Sequence, residues 1–401
     1  MKYNFDALIT GGGASGLMCA IAAKRHDPKL NVAVIEKNER VGKKLLSTGN
    51  GRCNLTNMNI SSDRYTGSLN TEKLFEKYDA EYLLTFFKSL GLLTYADSEQ
   101  RVYPVSRQAS SVLDVLRFAC ERYGIEIFCG EQIKSLKREN GGFRIKTADN
   151  EFFGRKLVIA CGSKAAPKLG GNASGADYLK NLGLALEPFQ PALCPIQVKS
   201  DVLKSLKGLR AAGKVSLLRN GRAVKEEKGE IQFAGGALSG ICVFNLSLYA
   251  KSGDIISIDL LPDYSEKEIY NILKKNKELF AKQTSDNLFT GILQKRVAQA
   301  VMKQSGTSDF SRLCEDLSDG EIKRAVKELK GMYFPVTQLS GFEQAQCAKG
   351  GVRANELTEG FESRRVKNLF VCGEAVDICG ECGGFNLHFA FVSGMIVGEQ
   401  L

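Results

Sequence analysis

Residues 5–16 read Phe-Asp-Ala-Leu-Ile-Thr-Gly-Gly-Gly-Ala-Ser-Gly, and the helix-forming run Leu-Met-Cys-Ala-Ile-Ala-Ala follows at residues 17–23. This order predicts a strand, a tight turn and a helix. Gly11, Gly13 and Gly16 fit the pattern G-x-G-x-x-G. In that pattern the first glycine permits the turn, the second lets a pyrophosphate approach the backbone, and the third lets the helix pack closely on the strand. Since a helix N-terminus also attracts phosphate, the stretch predicts a dinucleotide site.

An acidic residue supports this interpretation. A second predicted strand, residues 31–35, ends in Glu36, 20 residues beyond Gly16. A carboxylate at this place accepts hydrogen bonds from an adenosine ribose and disfavours a 2′-phosphate. The alternative is a glycine turn in an ordinary βαβ unit with a surface glutamate, and the context favours the nucleotide. NAD and FAD both fit these residues.

The composition indicates the class of protein. A chain of 401 residues is expected to form two or three domains. Its hydrophobic content of 43% and charged content of 25% are ordinary for a soluble protein. No apolar run approaches the roughly 20 residues of a membrane helix, and the N-terminus does not resemble a signal peptide, so we expect a cytoplasmic protein without membrane contact. The net charge of +10 permits nucleic-acid binding. However, interleaved acids favour solvated helix faces, so a nucleic-acid partner is disfavoured.

The twelve cysteines are scattered, mostly within apolar segments, which predicts buried thiols in a reducing compartment. Cys379 and Cys382 form a Cys-x-x-Cys that could act as a redox pair. The simpler interpretation, two small residues in a glycine turn, is favoured because a thioredoxin-like setting is absent. One such pair and two histidines disfavour a metal site.

Further segments extend the nucleotide fold. Residues 41–57 form a long polar loop rich in glycine and asparagine, which predicts contact with a ligand. Residues 71–91 have helical spacing, residues 125–128 and 133–136 resemble strands, and residues 157–162 form a buried strand.

The chain ends include a second part of this fold. Residues 368–372 form a buried strand that ends in Gly373-Glu374, and a glycine-rich turn opens a helix over residues 387–397. An N-terminal dinucleotide motif combined with such an ending is typical of chains that wrap FAD. Between them, residues 196–262 suggest a small antiparallel barrel or sandwich, and residues 265–330 suggest three or four short helices.

The whole sequence resembles the three-domain bacterial flavoproteins that include aminoacetone oxidase and the BaiN-type bile-acid pathway reductase. The motifs that carry the resemblance are Gly11–Gly16, Gly49-x-Gly51-Arg52-Cys53-Asn54-Leu55-Thr56-Asn57, Ala160-Cys161-Gly162, Pro191-Ala192-Leu193, Gly350-Gly351-Val352, Gly373-Glu374 and Gly383-Gly384-Phe385-Asn386-Leu387. One departure is in the predicted barrel, where Ala234-Gly235-Gly236-Ala237-Leu238-Ser239-Gly240 lacks the histidine that the family often has.

The resemblance implies an α/β fold. It has a Rossmann-like FAD-binding domain from both chain ends (residues 1–190 and 347–401), an inserted β-barrel subdomain (191–262 and 331–346) and a helical subdomain (263–330). The residues expected at the FAD are Gly11, Gly13, Ala14, Ser15, Gly16, Glu36, Lys37, Lys44, Gly49, Asn50, Gly51, Arg52, Cys53, Asn54, Ile133, Ala160, Gly162, Gly373, Glu374, Gly384, Phe385, Asn386 and Leu387.

The expected activity is that of an FAD-dependent oxidoreductase, which exchanges a hydride with a small organic substrate at flavin N5. Two versions stay open: an amine oxidase-like enzyme, and a reductase of an enone to which NAD(P)H supplies electrons. An RNA-associated flavoprotein and a flavin/dithiol redox sensor are the alternatives. His388, one turn into the last helix, could be catalytic; a packed helix residue is an equally good interpretation.

Overall fold

The computed structural model describes all residues, 1–401. They divide into unit 1, Met1–Ala192 with Phe342–Leu401, and unit 2, Leu193–Gly341. The strands are β1 (Lys2–Thr10), β2 (Val32–Ile35), β3 (Thr56–Asn57), β4 (Tyr65–Gly67), β5 (Thr94–Ala96), β6 (Arg101–Pro104), β7 (Glu126–Phe128), β8 (Ser135–Glu139), β9 (Gly142–Lys146), β10 (Glu151–Ile159), β11 (Leu186–Ala192), β12 (Ile196–Val198), β13 (Arg210–Arg219), β14 (Arg222–Phe233), β15 (Ala237–Ser239), β16 (Ile255–Asp259), β17 (Met332–Leu339), β18 (Cys347–Val352), β19 (Leu369–Val371) and β20 (Ile378–Gly380). The α-helices are α1 (Ala14–His26), α2 (Lys43–Ser47), α3 (Glu72–Lys77), α4 (Ala80–Ser89), α5 (Ala109–Arg122), α6 (Ser174–Asn181), α7 (Leu203–Leu206), α8 (Ile241–Ser247), α9 (Glu266–Leu279), α10 (Lys295–Gln304), α11 (Asp319–Lys330) and α12 (Phe385–Gly398).

Unit 1 is built on a seven-stranded sheet in the order β7-β2-β1-β10-β9-β8, with β19 beside β10. The strands β7, β2, β1, β10 and β19 pair in parallel, while β8, β9 and β10 pair antiparallel. Every residue of β2 and β19 is buried, as expected for strands of a parallel sheet covered on both faces. Because the carboxyl ends of β1, β2, β10 and β19 meet at one edge, the turns that follow them are brought together there.

Helices α1 and α12 pack with their backbones in close contact. A Cβ atom on Gly394 would overlap the carbonyl oxygen of Ser15, and one on Gly398 would lie 2.5 Å from that of Cys19. Since Gly394 faces Ser15 and Gly398 faces Cys19, the two helices run in the same direction. Small residues four apart permit this approach, and any larger side chain would separate the helices.

Unit 2 contains a closed barrel in the order β12-β15-β14-β13-β16-β17. Its hydrophobic core joins barrel residues such as Val215 and Ile256 to helix residues such as Leu273 and Val301. The predicted fold class, a Rossmann-type α/β domain with an inserted barrel and helices, is confirmed. The chain passes from one unit to the other at residues 192/193 and 341/342, whereas the predicted domain boundaries are 190/191 and 346/347. The helical subdomain as a separate part stays a prediction.

The helix predicted over residues 71–91 is two helices, α3 and α4. The break lies at Tyr78 and Asp79, where the Asp79 carboxylate accepts a hydrogen bond from the Tyr82 N–H at 2.8 Å and so caps α4. Helix periodicity alone did not reveal this cap. No helix of the chain combines the length and the apolar character needed to cross a membrane.

Candidate functional site

The glycine turn between β1 and α1 has the geometry that its spacing predicts. Gly11 has φ +102°, and a Cβ there would lie 2.5 Å from the carbonyl oxygen of Ala160. A Cβ on Gly16 would overlap the carbonyl oxygen of Gly11, whereas one on Gly13 would meet no atom within 4 Å. Gly11 and Gly16 are therefore required by the fold, while Gly13 leaves open space before the N-terminus of α1. The N–H groups of Ala14, Ser15 and Gly16 face that end because a helix offers them no internal acceptor.

Glu36 lies at the end of β2 beside this turn, and its side chain is buried. One carboxylate oxygen accepts the Gly12 N–H at 2.7 Å. The other accepts the backbone N–H of Asn38 at 2.8 Å and its side-chain amide at 2.5 Å. The carboxylate is thus fixed against the glycine turn by three hydrogen bonds, and its contact with a ribose stays a prediction.

A half-buried ion pair links the N-terminal and C-terminal parts of unit 1. Lys44 Nζ lies 2.7 Å from Glu374 Oε2, while Glu374 Oε1 accepts the Ala348 N–H at 3.0 Å. Gly162 has φ +72°, and a Cβ there would lie 3.7 Å from Glu374 Oε2. The turns after β10 and β19 are therefore neighbours.

The loop Gly49–Asn54 has an unusual backbone. Asn50 and Cys53 have φ values of +55° and +58°, a region that side chains seldom adopt. The Arg52 guanidinium lies 4.8 Å from the centre of the Tyr103 ring. Burial raises the pKa of the Cys53 thiol to about 12. Residues held in such a conformation are typical of functional loops.

An unpaired hydrogen-bond acceptor lies beside the unpaired N–H donors at the N-terminus of α12. Gly384, with φ +104°, precedes the helix, and a Cβ there would lie 2.9 Å from Asn54 Oδ1. That oxygen is buried without any hydrogen-bond partner. The N–H groups of Phe385, Asn386 and Leu387 have no acceptor within the helix. A buried orphan acceptor beside free donors is the feature expected where a polar ligand completes the hydrogen bonds.

The side chains around this turn hold it in place. The Asn386 amide donates to the Gly380 carbonyl at 2.7 Å, and its oxygen accepts the Gly380 N–H at 2.9 Å. The Tyr65 hydroxyl donates to the Phe385 carbonyl at 2.8 Å.

His388 is fully buried and has partners on both ring nitrogens. Nδ1 lies 2.8 Å from Thr56 Oγ1, and Nε2 lies 2.9 Å from the Tyr78 carbonyl oxygen. Since a carbonyl only accepts, Nε2 carries the proton and Nδ1 accepts from Thr56. Burial lowers the pKa of His388 to about 4. The histidine is therefore neutral, and its catalytic assignment stays a prediction that this geometry does not favour.

Other predicted residues lie at the border of the site. The Ile133 carbonyl accepts the Tyr178 hydroxyl at 3.1 Å. Lys37 Nζ donates to the Gly170 carbonyl at 2.5 Å, and burial lowers the pKa of this lysine. Cys379 Sγ lies 3.0 Å from Cys347 Sγ, a cysteine that was not predicted to pair. The Cys379–Cys382 redox pair itself stays a prediction.

Sequence reasoning missed three supporting residues. Ser393 accepts the Gly373 N–H on its hydroxyl at 2.9 Å, and Gly394 and Gly398 bring α12 against α1. The spacing Gly-x-x-x-Gly in the last helix was visible in the sequence and could have indicated the close helix contact.

The N-termini of α1 and α12 lie at different positions along the two parallel helices. Gly394 packs against Ser15, the second residue of α1, and α12 begins nine residues before Gly394. At 1.5 Å per residue, the N-terminus of α12 therefore extends about 12 Å beyond that of α1. Two donor sites in one unit, one beside a nucleotide-type glycine turn and one beside an orphan acceptor, fit a dinucleotide that carries a polar ring.

Comparisons with known proteins place the chain in a family. Residues 5–400 match the HI0933-like protein Rossmann domain. The chain is 32% identical to the 3-dehydro-bile acid delta(4,6)-reductase of Clostridium scindens, covering 98% of this chain and 97% of that protein. It is 26% identical to the ribosomal RNA dihydrouridine synthase of Escherichia coli, covering 99% and 98%. A flavocytochrome c3 fumarate reductase structure aligns with a TM-score of 0.49 and 15% identity over 99% of this chain and 78% of that one. The relationship inferred from the motifs is thereby confirmed, and the chain belongs to the HI0933-like Rossmann-domain family.

Proposed function

We propose that the protein binds FAD within unit 1 and is a flavin-dependent oxidoreductase. The observation that carries the proposal is the pair of parallel helices, whose free N-termini are offset by about 12 Å. One terminus adjoins the open space at Gly13, and the other adjoins the orphan Asn54 Oδ1.

Each part of the site has a role in this proposal. The N–H groups at the start of α1 bind the pyrophosphate, and Glu36 binds the adenosine ribose. Lys44, Glu374 and the loop Gly49–Asn54 line the path to the ring. When bound, FAD supplies a centre at N5 that accepts and donates hydride.

The N-terminus of α12 contributes the electrostatics. The N–H groups of Phe385, Asn386 and Leu387 and the positive end of the helix dipole stabilise negative charge on the reduced ring. The orphan oxygen of Asn54 would accept a hydrogen bond from an N–H group of the bound cofactor. Neutral His388 fixes the helix start to Thr56 and to the Tyr78 carbonyl, which is a positioning role.

The substrate class that we propose is a carbon–carbon double bond conjugated with a carbonyl group. The C. scindens relative is named as a delta(4,6)-reductase of a 3-dehydro-bile acid. Two other relatives are named ribosomal RNA dihydrouridine synthases. An enone and the uracil ring both contain such a double bond, so a single reaction, the reduction of that double bond, fits the names of all three relatives.

A nucleic-acid substrate is the second candidate, because of those two relatives and the net charge of +10. The pattern of charges alone disfavours a nucleic-acid substrate, but the names of the two relatives are a reason to test it directly. An amine oxidase-like reaction is the third version.

An anaerobic reduction experiment tests the proposal. Purified protein is loaded with FAD, and NADH or NADPH is added to determine which donor bleaches the flavin absorbance. A 3-oxo-4-ene steroid, ribosomal RNA or a small amine panel follows. Reoxidation by the steroid or by RNA supports a conjugated-bond reductase and identifies which one. Bleaching by an amine without a nicotinamide, followed by recovery in air, would replace the reductase with an oxidase. Failure to retain FAD would refute the proposal entirely.

A further inference from the structure

Two thiols face each other inside unit 1. The sulfur atoms of Cys347 and Cys379 lie 3.0 Å apart, and the residues are 4% and 1% exposed. A disulfide bond is about 2.05 Å long. The two sulfurs therefore need to approach by only about 1 Å to bond, and no intervening group has to move.

Ordered strands hold both cysteines. Cys347 opens β18 and pairs with Ala192 of β11. Cys379 lies in β20 opposite Thr66 of β4, and the Thr66 hydroxyl donates to the Cys379 carbonyl at 3.2 Å. Both cysteines thus lie in paired strands and not in an exposed loop.

Each cysteine adjoins a group of the proposed flavin site. Ala348, next to Cys347, donates its N–H to Glu374. Gly380, next to Cys379, exchanges two hydrogen bonds with the Asn386 side chain. A covalent link between the sulfurs would therefore connect the carboxylate beside Lys44 with the turn before α12.

We propose that Cys347 and Cys379 are a site of reversible oxidation, in which hydrogen peroxide converts the two thiols to a disulfide that joins β18 to β20. One thiolate attacks the O–O bond, which gives a sulfenic acid and releases hydroxide that becomes water. The second thiol displaces a second water from the sulfenic sulfur. Two thiols and one peroxide thus yield one disulfide and two waters, and a small thiol reductant reverses the reaction.

The surroundings of the pair determine its rate of oxidation. Burial, the Cys379 thiol and the Glu374 carboxylate raise the pKa of Cys347, whereas Lys44 opposes them. Burial also raises the pKa of nearby Tyr65. Because the thiolate is the reactive form, oxidation at neutral pH is slow, and a small oxidant is required to reach the sulfurs.

Peptide mapping tests the site in the full-length protein. The protein is incubated with hydrogen peroxide, remaining thiols are alkylated, and the chain is cut with trypsin and a glutamate-specific protease. This digest places Cys347 in residues 344–349 and Cys379 in residues 375–381, and each of these segments has no other cysteine. We expect a cross-linked peptide of these two segments, with the loss of two hydrogen atoms, which disappears on reduction. If both cysteines are alkylated while other cysteines are oxidised, the proposal is overturned.

Variants separate this pair from the Cys-x-x-Cys motif. Cys347→Ser and Cys379→Ser should each abolish the cross-link, while the matched variant Cys382→Ser should retain it. A Cys379–Cys382 bond in the wild-type map would contradict the assignment, and that map is informative even if a serine variant does not fold.

The link to the flavin rests on the proposed function, whereas the cross-link itself does not. In FAD-loaded protein we expect oxidation to change the flavin fluorescence reversibly. A cross-link in a protein that does not bind FAD would refute the proposed function and support the oxidation site. A cross-link with unchanged flavin fluorescence would refute the coupling between them.

Discussion

The substitution Gly13→Ala separates the cofactor site from the fold. Gly13 has φ −86° and ψ −169°, a conformation that alanine adopts, and its added Cβ would meet no atom within 4 Å. The free protein should therefore lose less than about 1 kcal/mol, the usual scale of an N-cap change. The methyl group would nevertheless fill the space through which a pyrophosphate reaches the N-terminus of α1.

The loss of binding follows from the hydrogen bonds that the pyrophosphate would make. A hydrogen bond to a charged group contributes about 1.5–3 kcal/mol, so losing one raises the Kd for FAD roughly 10- to 150-fold. The Kd is measured by fluorescence titration of the apoprotein with FAD, and the stability by thermal unfolding without FAD.

Substitutions of two other glycines serve as controls. Gly236→Ala in unit 2 also adds a Cβ with no neighbour within 4 Å, and it should change neither quantity. Gly16→Ala would overlap the Gly11 carbonyl oxygen and should lower stability by at least about 1–3 kcal/mol. If Gly13→Ala binds FAD as tightly as the wild type, the assignment of the pyrophosphate to α1 is wrong.

Three further substitutions examine the rest of the site. Glu36→Gln should lower the stability by about 1–3 kcal/mol and weaken FAD binding about tenfold, because one amide oxygen cannot replace two carboxylate oxygens. Both quantities are measured by calorimetry, and the control variant Glu39→Gln, at an exposed position, should change neither the stability nor the affinity for FAD. Asn54→Ala should weaken FAD binding in the same titration while leaving apoprotein stability within about 1 kcal/mol, since its Oδ1 has no partner to lose. His388 has a folded pKa of about 4 against 6.5 when unfolded, so the unfolded state takes up more protons between these values and stability falls as pH falls. Urea unfolding should show that the wild type loses about 2 kcal/mol more than His388→Gln between pH 7 and pH 5; equal losses would contradict a neutral buried ring.

The sequence predicted those parts of the site that depend on local spacing. Gly11, Gly13 and Gly16 are separated by fixed steps along one turn, so their places in that turn could be predicted from the sequence. Glu36 was predictable for the same reason, because a strand of known length ends beside that turn. The break between α3 and α4 was missed because the apolar side chains continue their helical spacing across it, while the cap at Asp79 interrupts the backbone.

Contacts between distant segments could not be predicted in this way. The ion pair of Lys44 and Glu374 joins residues 330 apart in sequence. Only the sheet topology, in which β2, β1, β10 and β19 are parallel neighbours, brings the loops after β2 and β19 to the same edge. His388 is a related case. Its neutral state depends on Thr56 and Tyr78, and the sequence of the last helix does not indicate that these two residues are its partners.

Cys379 has one candidate partner that is near in sequence and another that is near in space, and an experiment can distinguish the two. Sequence spacing pairs Cys379 with Cys382, whereas the strands place it against Cys347, 32 residues away. In the chain-entropy account, a cross-link that closes about 32 residues stabilises a protein by roughly 3–4 kcal/mol, against about 1.6 kcal/mol for three residues. Peroxide-treated wild type should therefore gain several kcal/mol in urea unfolding relative to its reduced form, and Cys382→Ser should gain as much. A gain that is lost in Cys382→Ser would mean that the neighbour in sequence, and not the neighbour in space, forms the bond.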